Sequence, residues 1–136
     1  MALLSWNDNY SIGIKKIDNE HKVLIGMINK AYDSIEKMEE QKVLLELISE
    51  MRQYAMDHFS TEEMFMKHYT YPETENHRKQ HNHFMIYVAS ADNMMDADNN
   101  ALDPYKVFKY LADWLKNHIL VTDKQFGSFL MDKGVR

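Results

Sequence analysis

The sequence predicts an all-α protein: an up-down-up-down antiparallel four-helix bundle preceded by an irregular N-terminal arm. Three observations carry this. Apolar residues recur at the 3.6-residue period over long segments, whereas β-like alternation is sparse. Four glycines and two prolines in 136 residues are too few for the frequent turns of an all-β fold. Short connections between the periodic segments set successive helices antiparallel.

The arm runs from Met1 to about Ile17, with Trp6, Tyr10, Ile12 and Ile14 available to pack on a bundle. Asp18 is a plausible N-cap for a first helix to about Met38, whose stripe is Leu24, Ile25, Ile28, Tyr32 and Ile35. A second helix from about Glu40 to His68 carries Leu44, Leu47, Ile48, Met51, Tyr54 and Phe65. Pro72 breaks the chain and suits the first turn of a third helix, which runs through Phe84, Val88 and Ala91 to about Met95. Asp96 to Asp103 reads as a polar loop. Asp103-Pro104 then matches an N-cap followed by proline at the first helical position, opening a fourth helix through Val107, Phe108, Leu111, Trp114, Leu115 and Ile119 to near Gly134. Such helices would be about 27 to 43 Å long. The chain reads as one domain over 1–136, with the bundle at about 18–133.

Composition narrows the function. A formal net charge of -5 argues against a nucleic-acid binder, which needs a basic face. Cysteine is absent, so there is no disulfide framework, thiolate metal site or cysteine nucleophile. The N-terminus has no basic region followed by an apolar run, and no stretch approaches about 18 apolar residues. The expected location is the cytoplasm, with neither membrane nor nucleic acid as partner.

Against this ordinary background stand His21, His58 with Glu62, His77 with His81, and His118 with Asp123, on four separate segments and in phase with their apolar stripes. A spacing of four places two side chains about 40° apart and one turn apart on a helix, so His77 and His81 can hold one ion together, as can His58 and Glu62. The five-residue gap between His118 and Asp123 is about 140° on an ideal helix, and requires either a long reach or a π-type loosening. A single histidine on an apolar face is more often a hydrogen-bonded core residue than a ligand. Five together would leave a bundle poorly stable unless something satisfied them, and a metal does so best.

Five imidazoles supply five nitrogens, and two bridging carboxylates supply four oxygens. Two octahedral ions need about twelve donor positions, and a shared oxide or hydroxide fills two more, leaving about one position open. Imidazole with bridging carboxylate suits iron, and a histidine-rich shell favours reversible binding over oxidation of a substrate. The Glu-x-x-His pattern of di-iron oxygenases and ferritins is absent. His68 and His83 read as surface residues, and Glu63 beside Glu62 should face solvent. Asp96-x-Asp98-x-Asn100 begins like a calcium loop, but Ala101 and Val107 stand where Gly and Glu are required. Gly26 and Gly127 interrupt helical patterns with no account from sequence.

The residues resemble one family specifically. Trp6-Asn7-Asp8, Ile17-Asp18-Asn19-Glu20-His21-Lys22, His58-Phe59-Ser60-Thr61-Glu62-Glu63, Tyr71-Pro72, His77-Arg78-Lys79-Gln80-His81 with Phe84, and Trp114-Leu115 through His118-Ile119 to Asp123 are similar to the hemerythrin family, in its single-domain bacterial branch. The resemblance covers essentially the whole chain and fills all seven ligand positions. It implies two iron ions with an oxo or hydroxo bridge that bind O2 reversibly. His77, His81 and His118 would hold the saturated iron, His21 and His58 the open one, and Glu62 and Asp123 would bridge. Trp114, Leu115 and Ile119 match positions around the O2 pocket. No side chain would need to act as general acid. The implied role is oxygen transport, storage or delivery, with an oxidase or oxygenase as a possible recipient, and no enzymatic activity. The alternatives are an O2 or redox sensor read by a partner, and a di-iron peroxidase or an enzyme handling nitric oxide.

Overall fold

A computed structural model of the chain describes residues 3–96 and 103–136. Among these residues the regular structure is helical throughout: a short 3-10 turn at Asp8–Tyr10, then α1 (Lys15–Glu36), α2 (Gln41–Tyr69), α3 (Thr74–Asp96), α4 (Pro104–Asn117), a π-helical turn (His118–Asp123) and α5 (Lys124–Asp132). α1 packs on α2 and α4, and α3 on α2 and α4. This is the expected four-helix bundle, its fourth arm made of α4, the π turn and α5 in succession.

The core is built from the predicted stripes, with Leu24, Ile28, Ile48, Met51, Phe84, Val88, Phe108 and Leu111 all buried, and Phe126 of α5 joins them. Tyr32, Ile35, Tyr54 and Phe65 lie only half-buried at the stripe edges, while Ala31, Ser34, Ala55 and Met66 take the interior. Small residues fit where helices approach closely, and long side chains spread along the flanks. His68 and His83 are exposed, as expected.

Helix boundaries depart from expectation in two places. α1 starts at Lys15, one turn before Asp18, and Ile14 precedes it without a side-chain cap. The Asp18 carboxylate instead accepts from the Ser11 hydroxyl and, at 2.9 Å, from the Ile12 amide. Asp18 thus ties the arm to α1 and does not start the helix. Pro72 stands before α3, whose first residue is Thr74, and the Thr74 hydroxyl donates to the Tyr71 carbonyl at 2.6 Å. By contrast, Asp103 caps α4 as expected, accepting from the Tyr105 amide at 3.0 Å with Pro104 in the first turn. Most of the predicted loop at Asp96 to Asp103 lies outside the described residues.

The arm is clamped along α1. Asn29 accepts from the Leu3 and Leu4 amides, both at 2.9 Å, and donates back to the Leu4 carbonyl. Further along, Ile12 lies against Gly127 of α5, where a Cβ would collide with its backbone.

Candidate metal centre

Because the bundle is antiparallel, α1 begins, α2 ends, α3 begins and the fourth arm nears its end at one pole. His21, His58, Glu62, His77, His81, His118 and Asp123 all lie near that pole, and all are buried at 4% exposure or less. Their donor atoms form two overlapping groups: Glu62, His77, His81, His118 and Asp123 in one, and His21, His58 and Glu62 in the other, each within 4.8 Å. The structure therefore brings all seven predicted residues together.

The carboxylates divide their oxygens between the two groups. Glu62 Oε1 lies 2.9 Å from His58 Nε2 and 3.4 Å from His21 Nε2, while Oε2 lies 3.2 Å from both His77 and His81 Nε2. Asp123 Oδ1 lies 3.0 Å from His77 Nε2 and 3.2 Å from His118 Nε2, and Oδ2 lies 3.1 Å from His21 Nε2. The π turn is what carries Asp123 there: with bonding stretched to i→i+5, residues five apart come onto one face.

These separations are ion-pair distances without hydrogen-bond alignment. Both oxygens of Glu62 and Asp123, both ring nitrogens of His21 and His77, and Nε2 of His81 and His118 are buried with no hydrogen-bond partner. Among the described residues, every buried side-chain polar atom so left belongs to this cluster. Orphaned donors and acceptors at that density would cost about 1–3 kcal/mol each. A pair of cations satisfies them at once, so the residues fit a two-ion centre.

The outer ring atoms follow a rule. His58 Nδ1 lies 2.7 Å from Glu20 Oε1, His81 Nδ1 3.0 Å from Glu63 Oε2, and His118 Nδ1 2.8 Å from Gln80 Oε1, which also accepts from the Thr122 hydroxyl. Each acceptor is the chain neighbour of a cluster residue on the preceding helix: Glu20 of His21, Glu63 of Glu62, Gln80 of His81. A residue next to an inward-pointing one is about 100° round the helix, facing the adjacent helix. Donation from Nδ1 leaves Nε2 facing the carboxylates, the arrangement in which an imidazole can bind a cation. Glu63 is thus not merely solvent-facing as expected. It is half-buried and also accepts from Arg78 at 3.1 Å.

Electrostatics agree with the geometry. Burial would raise Glu62, but the imidazoles of His58, His21 and His77 overcome it and hold the carboxyl well below the usual range. Asp123 is likewise lowered against burial, and against the charge of Glu62, by His118 and His21. In return, although burial opposes it, the carboxylates raise His58 to about 10 and His77 to about 9. For His118 burial prevails and lowers it.

Aromatic rings wall the three-histidine group. Phe59 stacks on His81 with centroids 3.9 Å apart, and Trp114 stacks on His118 at 4.5 Å. Leu115 and Ile119 are buried at 2% and 0%. Trp114 is only half-buried, short of the full core position its apolar stripe suggests.

Comparison with known proteins now decides the family. The model of the hemerythrin HHE cation binding domain matches residues 12–130. The chain belongs to the hemerythrin family. It is 31% identical over 126 residues to a bacteriohemerythrin of Clostridium acetobutylicum, covering 89% of this chain and 96% of that one. A bacteriohemerythrin of Pseudomonas aeruginosa is 34% identical over 119 residues, covering 88% and 76%. A myohemerythrin of Theromyzon tessulatum is 29% identical, covering 89% and 88%. The crystal structure of a wild-type hemerythrin superposes with a TM-score of 0.86 at 23% identity, over 93% of this chain and 97% of that one, and so shares the fold. Within this hemerythrin fold, none of the helices among the described residues is long and apolar enough to cross a membrane.

Proposed function

We propose that this chain binds O2 reversibly at a non-heme di-iron centre, for transport, storage or delivery of oxygen. The observation that carries the reading is the division of donors: three imidazoles in one half, two in the other, and two carboxylates with one oxygen turned to each half. His77, His81 and His118 would hold one iron and His21 and His58 the other, with Glu62 and Asp123 bridging. The half with two imidazoles offers one imidazole fewer, so an ion held there would keep a position for an exogenous ligand. When bound, the irons supply the two electrons on which O2 binding draws.

The rest is the work of the protein. Glu20, Glu63 and Gln80 fix three rings with Nε2 inward. Leu115, Ile119 and Trp114 close the apolar side and exclude water, which would otherwise promote irreversible oxidation. Five neutral donors and only two anionic ones favour binding over turnover of a substrate. The test is anaerobic Fe(II) loading followed by cycles of air and vacuum. Two irons per chain, with a charge-transfer band that appears with O2 and vanishes on its removal, are expected. Two irons that oxidise without recovery would overturn the carrier reading in favour of sensing or catalysis.

A further inference from the structure

The three Nδ1 acceptors are chemically unequal. His118 has the neutral amide of Gln80, whereas His58 and His81 have carboxylates, each of which reaches a surface cation. Glu63 meets Arg78, and Glu20 Oε2 lies 3.2 Å from Lys16 Nζ. The second of these chains serves the half of the centre that has two imidazoles. It runs from an exposed ammonium through a largely buried carboxylate to a buried ring, with side-chain exposures of 61%, 17% and 1%.

Helix stability does not account for Lys16. A lysine four residues before a glutamate is the weaker order of that pair, and a cation in the first turn of α1 opposes the helix dipole. The pair makes sense as part of the centre. We infer that Glu20 and Lys16 are positioning residues for the two-imidazole iron: Glu20 sets how strongly His58 donates, and Lys16 restrains Glu20.

The inference rests on the di-iron reading above, and its sign follows from charge. A carboxylate accepting the Nδ1 proton at 2.7 Å makes a charge-assisted bond and raises the basicity of Nε2. A more basic donor favours Fe(III) over Fe(II), so Glu20 promotes oxidation of the open iron. Lys16 draws charge the other way, and because its head is exposed, salt weakens its hold.

The experiment compares Glu20→Gln and Lys16→Met in the full iron-loaded chain. The readouts are the midpoint potential and the rate at which the O2-bound form decays. Glu20→Gln keeps the acceptor and removes the charge, so the potential should rise and decay should slow roughly fivefold. Lys16→Met should lower the potential and speed decay about two- to fivefold, and high salt should move the parent in the same direction. Opposite signs are the signature that a purely structural role does not produce. Shifts in the same direction, or neither exceeding twofold, would overturn the inference. Should Glu20→Gln fail to keep its iron, Lys16→Met and the salt series decide the sign alone. The Nδ1 proton resonance of His58 in the iron-free chain separates this inference from the functional reading. It should move in Lys16→Met; an unchanged resonance refutes the Lys16–Glu20–His58 chain whether or not O2 binds.

Discussion

Two glycines that interrupt helical patterns offer a matched test of the packing. Replacing each by alanine makes the same chemical change in opposite surroundings. At Gly26, exposed on α1, a Cβ would meet nothing within 4 Å. Gly26→Ala should therefore gain the propensity difference alone, about 0.5–1 kcal/mol. At Gly127, buried on α5, a Cβ would overlap the Ile12 carbonyl oxygen and lie 2.8 Å from Ile12 Cβ. Ile12 cannot simply retreat, because it is 2% exposed and its amide is held by Asp18 at 2.9 Å. Overpacking costs about 1–3 kcal/mol, and a backbone obstacle belongs at the upper end. Set against a gain of up to about 1 kcal/mol in propensity, the net for Gly127→Ala is a loss of about 2 kcal/mol. For a chain of this length that is about 6–10 °C, against a rise of about 2–5 °C for Gly26→Ala. Thermal unfolding of the iron-free proteins, followed by circular dichroism, reads both. A Gly127→Ala protein melting at or above the parent would refute the account of how α5 seats on the arm.

Other expectations concern the centre. His118→Ala removes one of three imidazoles and one of the two partners of Gln80, so stable loading with two irons should be lost; metal analysis finding two irons per chain and an unchanged spectrum would show the ligand assignment to be wrong. Leu115→Ala, at a residue 2% exposed, should cost about 2–5 kcal/mol of stability yet leave iron content intact. Its O2-bound spectrum should decay faster than the parent's, and an equal half-life would remove Leu115 from the water-excluding wall. In the iron-free chain His58 and His77 are raised to about 10 and about 9, so both carry protons at neutral pH and must lose them to bind metal. Anaerobic loading at pH 7 should release about two protons or more, recorded in a weakly buffered solution. The same raised values stabilise the iron-free fold fully below about pH 6.5, and that contribution fades as pH rises through about 9 and 10. The urea midpoint of the iron-free protein should fall over that window, and a flat profile would contradict the assignment.

The clustering of the seven residues was legible because helical spacing is a local property and their residue types are costly to bury unsatisfied. Asp103-Pro104 was legible for the same reason, since a cap and its helix are neighbours in sequence. What escaped depends on register between helices. Glu20 and Gln80 are polar residues that could as well face water, and their partners lie 38 residues away. A signal did exist: an imidazole placed to coordinate needs an acceptor at its other nitrogen, and each acceptor adjoins a residue of the cluster in sequence. Asp18 misled because an aspartate near a helix start has two uses, and the nearby Ser11 and Ile12 amide decided between them. The stripe edges at Tyr32 and Phe65 were misplaced because periodicity gives a face but not how closely the neighbouring helix approaches.

The π turn and the acceptor pattern together explain why the centre is lopsided. From α1 to α2, α2 to α3 and α3 to the fourth arm, each helix lends the next one an acceptor for a histidine. The relation does not return from the fourth arm to α1: Nδ1 of His21 has no partner, and Thr122 in the π turn donates to Gln80 instead. An uninterrupted α-helix after His118 would turn the carboxylate of Asp123 about 140° from the imidazole. The π turn instead places Asp123 Oδ1 within 3.2 Å of His118 Nε2 and Oδ2 within 3.1 Å of His21 Nε2. Within the turn Val121 stands 69% exposed, an apolar side chain on the outer surface. One local irregularity thus joins the fourth arm to both halves of the centre through a carboxylate, where a further imidazole would have served only one.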